Sequence, residues 1–528
     1  MTPESLRLVP ATCRPIVILA ALSCGATWIN ERPARAQEPN GLAVAAAIQE
    51  AFVKAIESAE RSVVSVSRDK RSAAGHPETR HPLAVRGMMT EPAPGDPNWI
   101  PNEFGAGIII DKNGLILTNY HLVRGGPAEG KLDQKAEQTI YVRLHDRRGF
   151  EAHIFAADPR SDLAVLKIPA ADLTPLELGA AAPVRKGQMV IALGNPYAIA
   201  RDGSPSATWG IVSNIGRQAM LEGERQDPEY QRKLTVHHLG TLLQIDTRLE
   251  LGTSGGALLN LKGELIGMTT SLAAIVGYEK SAGFAVPFDD SMQRVIKSLK
   301  QGKEVEYGFL GITPGEITPS QSALPEWAPV FERIRQHGAA RIDQVVPNLP
   351  AHRSGLADGD LVLKIGDKAI FNTNDLMREI GLLAPGTVVK IKVFRPMLPH
   401  DVGREIDFAV EVGKWPVIDE EGIIATNPLR GDWQGIVYDY STARKRFLPM
   451  VPQRMPPGVR VMEVKSGSEA AGRGILPGEL ITHVRGNPVR SPREFADAVR
   501  GATGQVTLKI STPSDRSASD RDVVIKPR

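Results

Sequence analysis

From Phe104 to about Leu299 the chain runs as short stretches rich in β-branched residues, such as Gly107-Ile108-Ile109-Ile110 and Val165-Leu166-Lys167-Ile168, separated by Gly, Asn and Asp turns. Runs of this length are too short for helices, and their even spacing is that of an all-β barrel pair. At 528 residues the chain exceeds what one hydrophobic core organises, so about three folded units are expected. Its 42% hydrophobic and 23% charged residues, with Gly 50 and Pro 40, describe a globular, turn-rich protein. Lys+Arg 63 against Asp+Glu 60 is too balanced for a nucleic-acid footprint, so no nucleic-acid partner is expected.

The amino terminus reads as an export signal. Arg7 and Arg14 precede an apolar run from Ile16 to about Ile29, and Ala34-Arg35-Ala36 fits a small-x-small cleavage site, giving a leader over 1–36. The alternatives are an uncleaved membrane anchor or lipidation at Cys24, either giving membrane association. Both cysteines, Cys13 and Cys24, lie in this segment, so the mature chain has neither a disulfide framework nor a Cys nucleophile. Leu42, Ala45, Ile48, Phe52 and Ile56 recur at helical spacing ahead of Val63-Val64-Ser65-Val66, which predicts a helix feeding a first strand. The Pro-, Gly- and charge-rich stretch over 68–102 reads as an inserted surface loop.

Two later segments repeat one another. Ala351 to Val362 parallels Ala471 to Ile481, at an offset of about 119 residues between Gly359 and Gly478. That spacing is the size of a compact module and too long for a solenoid. Each copy is followed by an amphipathic stretch, Asn374 to Leu383 and Ser491 to Arg500, with a helix-opening Asn or Ser. The expected division is a β-barrel domain over 37–303, a first module over 304–414 and a second over 425–528.

The chemistry-bearing residues fall in the barrel region. A Ser nucleophile needs a His to take its proton and a carboxylate to hold that His in one tautomer. Ser254 lies in the Gly-rich turn Leu251-Gly252-Thr253-Ser254-Gly255-Gly256, where the Gly252 and Ser254 amides would face a developing oxyanion. His121 follows the β-rich run Leu117-Thr118-Asn119-Tyr120, and Asp162 opens the apolar run Leu163-Ala164-Val165-Leu166. The order His, Asp, Ser is that of double-barrel proteases. His237-His238 has no further ligand at metal-binding spacing, and no phosphate-cradling loop is present, so neither metal nor cofactor is expected.

Taken with Leu193-Gly194-Asn195-Pro196, Gly210-Ile211-Val212-Ser213 and Gly283-Phe284-Ala285-Val286-Pro287, these motifs make the chain resemble the HtrA (Deg) family over roughly residues 42 to 515. The resemblance implies a trypsin-like double six-stranded β-barrel followed by two α+β PDZ domains. It also implies an ATP-independent, periplasmic or cell-envelope serine endopeptidase acting on unfolded or damaged proteins, assembled as a homotrimer or multiple of trimers. Its specificity pocket would fall at Leu249 with Thr270, Ser271 and Leu272, an apolar lining favouring cleavage after small or medium aliphatic residues. Tyr307-Gly308-Phe309-Leu310-Gly311 resembles a PDZ carboxylate-binding loop for protein C-termini. Asp432-Trp433-Gln434-Gly435-Ile436-Val437 holds the matching place with one glycine fewer. The chain departs from the family where Thr253 stands for Asn and Leu251 for Pro. The alternative function is a catalytically closed chaperone or regulatory scaffold.

Overall fold

The computed structural model describes residues 41–70, 101, 103–124, 138–179, 183–195, 203–218, 234–270, 283–316, 327–335, 338–397, 401–448, 457–513 and 519–526. The leader, both cysteines and residues 71–100 of the expected insert lie outside them. Helix α1 (Gly41–Ala59) covers the predicted helical spacing and leads through a short turn into the first strand.

Six strands close the first barrel: β1 (Val63–Lys70), β2 (Glu103–Asp111), β3 (Leu115–Asn119), β4 (Gln138–Arg143), β5 (Gly149–Asp158) and β6 (Leu163–Lys167). They neighbour in the order β5-β4-β1-β2-β3-β6, and the β5–β6 pairing completes the ring. The second barrel closes β7 (Met189–Gly194), β8 (Ser206–Arg217), β9 (Leu242–Ile245), β10 (Ala257–Leu259), β11 (Leu265–Thr270) and β12 (Gly283–Pro287). Closure removes the unpaired edges that short strands would otherwise expose. Val64, Ile116, Ile140, Ile154 and Leu166 fill the first interior, while Val190, Val212, Leu243 and Leu258 fill the second.

A third cluster joins the barrels. Ile108, Leu117 and Val165 from the first meet Ile191, Leu193, Ala257 and Met268 from the second, and helix α2 (Asp290–Lys300) adds Met292, Val295 and Leu299. Asp289 caps that helix by accepting from Met292 N at 2.9 Å. Strands of both barrels are therefore hydrophobic on both faces, which is why they read as unbroken apolar runs.

The two repeats form two sheets of one topology. The first orders Ile312–Gly315, Ala340–Val345, Leu361–Ile365, Val388–Met397 and Asp401–Glu411. The second orders Ile436–Tyr440, Val459–Val464, Leu480–Val484, Val506–Thr512 and Ser519–Ile525. Each carries one groove-side helix, α3 (Thr373–Gly381) and α4 (Pro492–Val499), capped by Asn372 and Ser491 through the amides of Asp375 and Glu494.

The segment between the repeats is built into the rest. Ile424–Ala425 pairs with Ala157 and Ala156 of β5, so the position expected to open the second module extends the first barrel's sheet. Gly413–Lys414 pairs with Gly308–Phe309. Lys414, 1% exposed, bonds Asp439 at 2.6 Å and Glu304 at 2.8 Å, and Glu306 lies 3.2 Å away. Arg430 bonds Glu306 and Asp439, and Arg444 bonds Glu304. Three cations thus face three carboxylates drawn from the start of the first repeat, the connecting segment and the second repeat. Breaking a buried pair strands a charge, so Lys414→Ala should cost about 3–5 kcal/mol in urea denaturation. Burial works against ionised Glu304, but Lys414 and Arg444 outweigh it and hold its pKa at about 2, below the ordinary 4.5. A depressed carboxylate stabilises fully above its unfolded pKa, so this contribution should fade as pH falls from about 4.5 towards 2. Denaturation midpoints across that range should drop less steeply in Glu304→Gln.

Candidate active site

The expected triad residues sit where the two barrels meet. Asp162 occupies the turn between β5 and β6 with a φ of +53°, a left-handed conformation uncommon for side-chain residues but more open to Asp than to most. Just ahead of it in the turn, Asp158 is a buried carboxylate whose Oδ2 accepts from Ser161 N at 3.0 Å and Ser161 Oγ at 2.6 Å, and from the Tyr307 hydroxyl. Arg160 lies over the Tyr307 and Trp415 rings, at 5.5 and 4.8 Å to their centroids, and donates to Pro416 O.

This turn presents Asp162 to the short helix Tyr120–Val123 in full. Tyr120 N donates to Asp162 O at 2.8 Å, and Asn119 Nδ2 to the same oxygen at 3.2 Å. His121 N donates to Asp162 Oδ1 at 2.9 Å, and its Nδ1 lies 2.7 Å from Oδ2. With Nδ1–H directed at the carboxylate, Nε2 of the neutral ring is the basic nitrogen. Burial opposes protonation of His121 and Arg68 adds to that, but the charge and hydrogen bond of Asp162 outweigh both and raise its pKa above 6.5. Nε2 is buried and makes no hydrogen bond.

Ser254 is brought to the same place by the turn preceding β10. Ala106 N of β2 donates to Ser254 O at 2.7 Å. Gly105 has no room for a Cβ because Leu122, beside His121, and the Ser254 carbonyl both press on it. Gly252 and Gly255 have φ of +95° and +84°. A Cβ on Gly252 would collide with the Asn195 carbonyl and the Phe104 ring, and one on Gly255 with the Ala106 carbonyl. Thr253, the departure from the family motif, folds its hydroxyl back onto Glu250 O at 2.7 Å, alongside its own N–H at 3.1 Å. The turn therefore closes on itself without an amide side chain.

The expected pocket residues are less gathered. Leu249 packs against the second barrel's interior cluster and crowds Gly283, and Thr270 is buried at the end of β11 beside Phe284. Ser271 and Leu272 lie outside the described residues. In the first repeat, the Tyr307 side chain faces the Asp158 turn, not a ligand groove, and Phe309 packs with Leu349 and with Leu480 of the second repeat. Gly308 has no room for a Cβ beside the Ile380 carbonyl. The Leu310 and Gly311 carbonyls accept from Ala351 N and Val346 N, both at 2.9 Å. Across a trans peptide N–H opposes C=O, so the Gly311 and Ile312 amides turn the other way.

The second repeat differs. Trp433 N donates to Ile436 O at 3.0 Å and Ile436 N to Trp433 O at 2.9 Å, while Gly435 N donates to Asp432 Oδ2 at 3.1 Å. Three of the loop's amides are thereby consumed internally. Trp433 and Tyr438 stack edge-on to Phe495 at 5.8 and 4.6 Å, filling the space between strand and helix. No such bridge crosses residues 309–312 among the described residues.

The profile described as trypsin-like peptidase domain matches residues 105–268, and that described as PDZ domain matches residues 308–412. A probable periplasmic serine endoprotease DegP-like of Chlamydia muridarum is 31% identical over 408 residues, covering 77% of this chain and 72% of the relative. The chain belongs to the HtrA family of DegP-like serine endoproteases. The Hahella chejuensis protein of the same description is 31% identical over 400 residues, covering 75% of this chain and 74% of its own. Among solved structures, the HtrA-type protease AlgW with decapeptide matches at 25% identity over 69% of this chain and 99% of that one, with a TM-score of 0.46. The chain is a serine endopeptidase with PDZ domains, as the motifs implied.

Asp158 and Arg160 are supporting residues that motif reading missed, and Tyr307, read as part of the carboxylate-binding loop, is a third whose role it misplaced. Asp158 had a local signal, an Asp three residues before Ser161 able to close a turn on its amide. Tyr307 and Arg160 had none, since their contacts cross domains. Because the second barrel's turn packs on β2 with no spare space, Gly255→Ala should lower kcat/KM by about 100-fold or more, in line with the cost of an approximately 1 Å displacement. Its rate of labelling by a fluorophosphonate should fall in parallel.

Proposed function

We propose that His121, Asp162 and Ser254 form the catalytic triad of an exported, ATP-independent endopeptidase that degrades unfolded or damaged proteins. The observation that carries this reading is the double hold of Asp162 on His121, through the backbone N–H and Nδ1, beside the Ser254 turn packed on β2. His121 Nε2 takes the Ser254 proton as Oγ attacks a peptide carbonyl, and returns it to the leaving amine. The Gly252 and Ser254 amides stabilise the oxyanion, and water then releases the acyl group. Asp162 keeps Nε2 basic and stabilises the imidazolium.

Cleavage after small or medium aliphatic residues is supported by the apolar character of Leu249. The first PDZ domain takes protein C-termini at the Gly311 and Ile312 amides, which raises the local concentration of substrate at the barrels. The second, its loop amides bonded internally and its groove filled by its own rings, acts as a brace. Relatives named periplasmic support export, with cleavage after Ala36. We further propose the trimeric assembly that the family resemblance implies.

His121 Nε2, lacking a hydrogen bond, favours a second reading: a resting form, or a closed scaffold, in which Ser254 is not yet engaged. Incubating the chain with reduced casein beside Ser254→Ala, and mapping cuts by mass spectrometry, separates the two. Cuts after Val, Ala or Ile that vanish in the variant are expected. Absence of cuts even with added C-terminal peptides would favour the scaffold. The acid limb of kcat/KM should lie above the ordinary histidine pKa of about 6.5, because catalysis needs neutral His121. Asp162→Asn should lower kcat by roughly 10⁴-fold, as in the general triad template.

A further inference from the structure

We infer that His237 is a positioning residue for catalysis: its Nε2–H holds the Ser161 carbonyl and thereby sets the backbone of Asp162. The inference rests on the triad reading above. His237 opens the His-His pair that stood without a role in the sequence, and it is fully buried in the short turn Val236–Leu239 ahead of β9.

Its two ring nitrogens are both used. Nε2 lies 2.9 Å from Ser161 O and Nδ1 2.6 Å from Thr241 Oγ1. A carbonyl only accepts, so Nε2 must carry the proton; in the neutral ring Nδ1 then accepts from the Thr241 hydroxyl. Burial, the largest influence, keeps the ring neutral against the Ser161 bond and the Asp162 charge, with His238 adding to burial. The adjacent Val236 N donates to Arg160 O at 2.8 Å, so two successive carbonyls of the turn are fixed from the second barrel.

Ser161 O belongs to the peptide unit whose nitrogen is that of Asp162. Fixing the carbonyl fixes that plane, and with it the angle from which the Asp162 φ of +53° is measured. The left-handed form is uncommon for a residue with a side chain, though Asp enters it more readily than most, so contacts that fix the Ser161–Asp162 peptide help decide whether it persists. Releasing Ser161 O would let Asp162 relax away from His121 and leave Nδ1 unsupported. The same carboxylate raises the His121 pKa, so the loss has a signature that simple unfolding lacks.

The test measures kcat, KM and the pH dependence of kcat/KM on an internally quenched peptide for the full chain, His237→Leu, His237→Gln and Thr241→Val. Gln places an amide N–H near the position of Nε2, whereas Leu has no donor. His237→Leu should lower kcat by about 10- to 100-fold with KM within twofold, the scale of a misplacement near 1 Å. Its acid limb should move to lower pH, because His121 faces Asp162, which raises its pKa, and Arg68, which lowers it. His237→Gln should recover most of kcat and restore the limb. Thr241→Val, which removes the donor that fixes the tautomer, should shift kcat the same way by a smaller factor, and it decides the question if His237→Leu does not fold. An unchanged acid limb in variants that lose kcat would overturn the inference, as would full activity in both His237→Leu and Thr241→Val. Ser254→Ala and Asp162→Asn run alongside: activity surviving in them would sink the triad itself, a separate failure.

Discussion

A carboxylate removed from water must be satisfied on all sides, and Asp158 is the group on which most of this molecule converges. Burial, the largest influence on it, raises its pKa, against the pull of Ser161, Tyr307 and Arg160. Those partners come from different places: Ser161 from its own turn, Tyr307 from the start of the first PDZ domain. Ser161 is held on its N–H and hydroxyl by Asp158, and the residue after it, Asp162, adopts a left-handed conformation. The placement of Asp162 against His121 therefore depends in part on a carboxylate that is itself buried away from them.

The same turn explains why the connecting segment is not a free linker. Arg160 is covered by Trp415 and bonded to Pro416, and a few residues later Ile424–Ala425 adds a strand to β5. Lys414 sits between, ringed by carboxylates from both sides. Charges buried this deeply tolerate no separation, so the start of the first PDZ domain, the connector and the second PDZ domain are held in register by one electrostatic cluster. Leu349 and Phe309 of the first domain pack with Leu480 of the second and extend that register with apolar contacts.

The two PDZ domains share a sheet order and differ in what their loops do with backbone amides. In both, the two carbonyls at the matching positions, Leu310 and Gly311 or Gln434 and Gly435, are tied to amides of the following segment, and in the first no backbone bond crosses the loop among the described residues. In the second, Trp433 and Ile436 bond one another across the loop, and Asp432 supplies a carboxylate to the Gly435 amide. Duplicated topology thus does not bring duplicated chemistry. Asp432 in the place of Gly308 and Trp433 in the place of Phe309 are the local causes: the Asp432 carboxylate takes the Gly435 amide, and the indole supplies a ring for Phe495.

Much of this was legible in the sequence. Strand periodicity, turn residues and capping positions act over a few residues, so the double barrel, the repeat and the helices over 373–381 and 492–499 could be read directly. The residues proposed as the triad could be picked out because a Gly-rich turn around Ser254 and a strand-ending His121 are also local patterns. Contacts made across long chain separations were not: Tyr307 to Asp158, His237 to Ser161, Lys414 to Glu304 and Asp439, and the pairing of Ala425 with Ala156. None leaves a periodic trace, since each depends on where two distant segments pack. The sequence by itself determined the strands, turns and helices and set the candidate residues His121, Asp162 and Ser254 on them. Only the tertiary structure decided how Asp162 is held, which PDZ loop stays open and where the Leu249 side chain lies, because burial and hydrogen-bond satisfaction are properties of the packed whole.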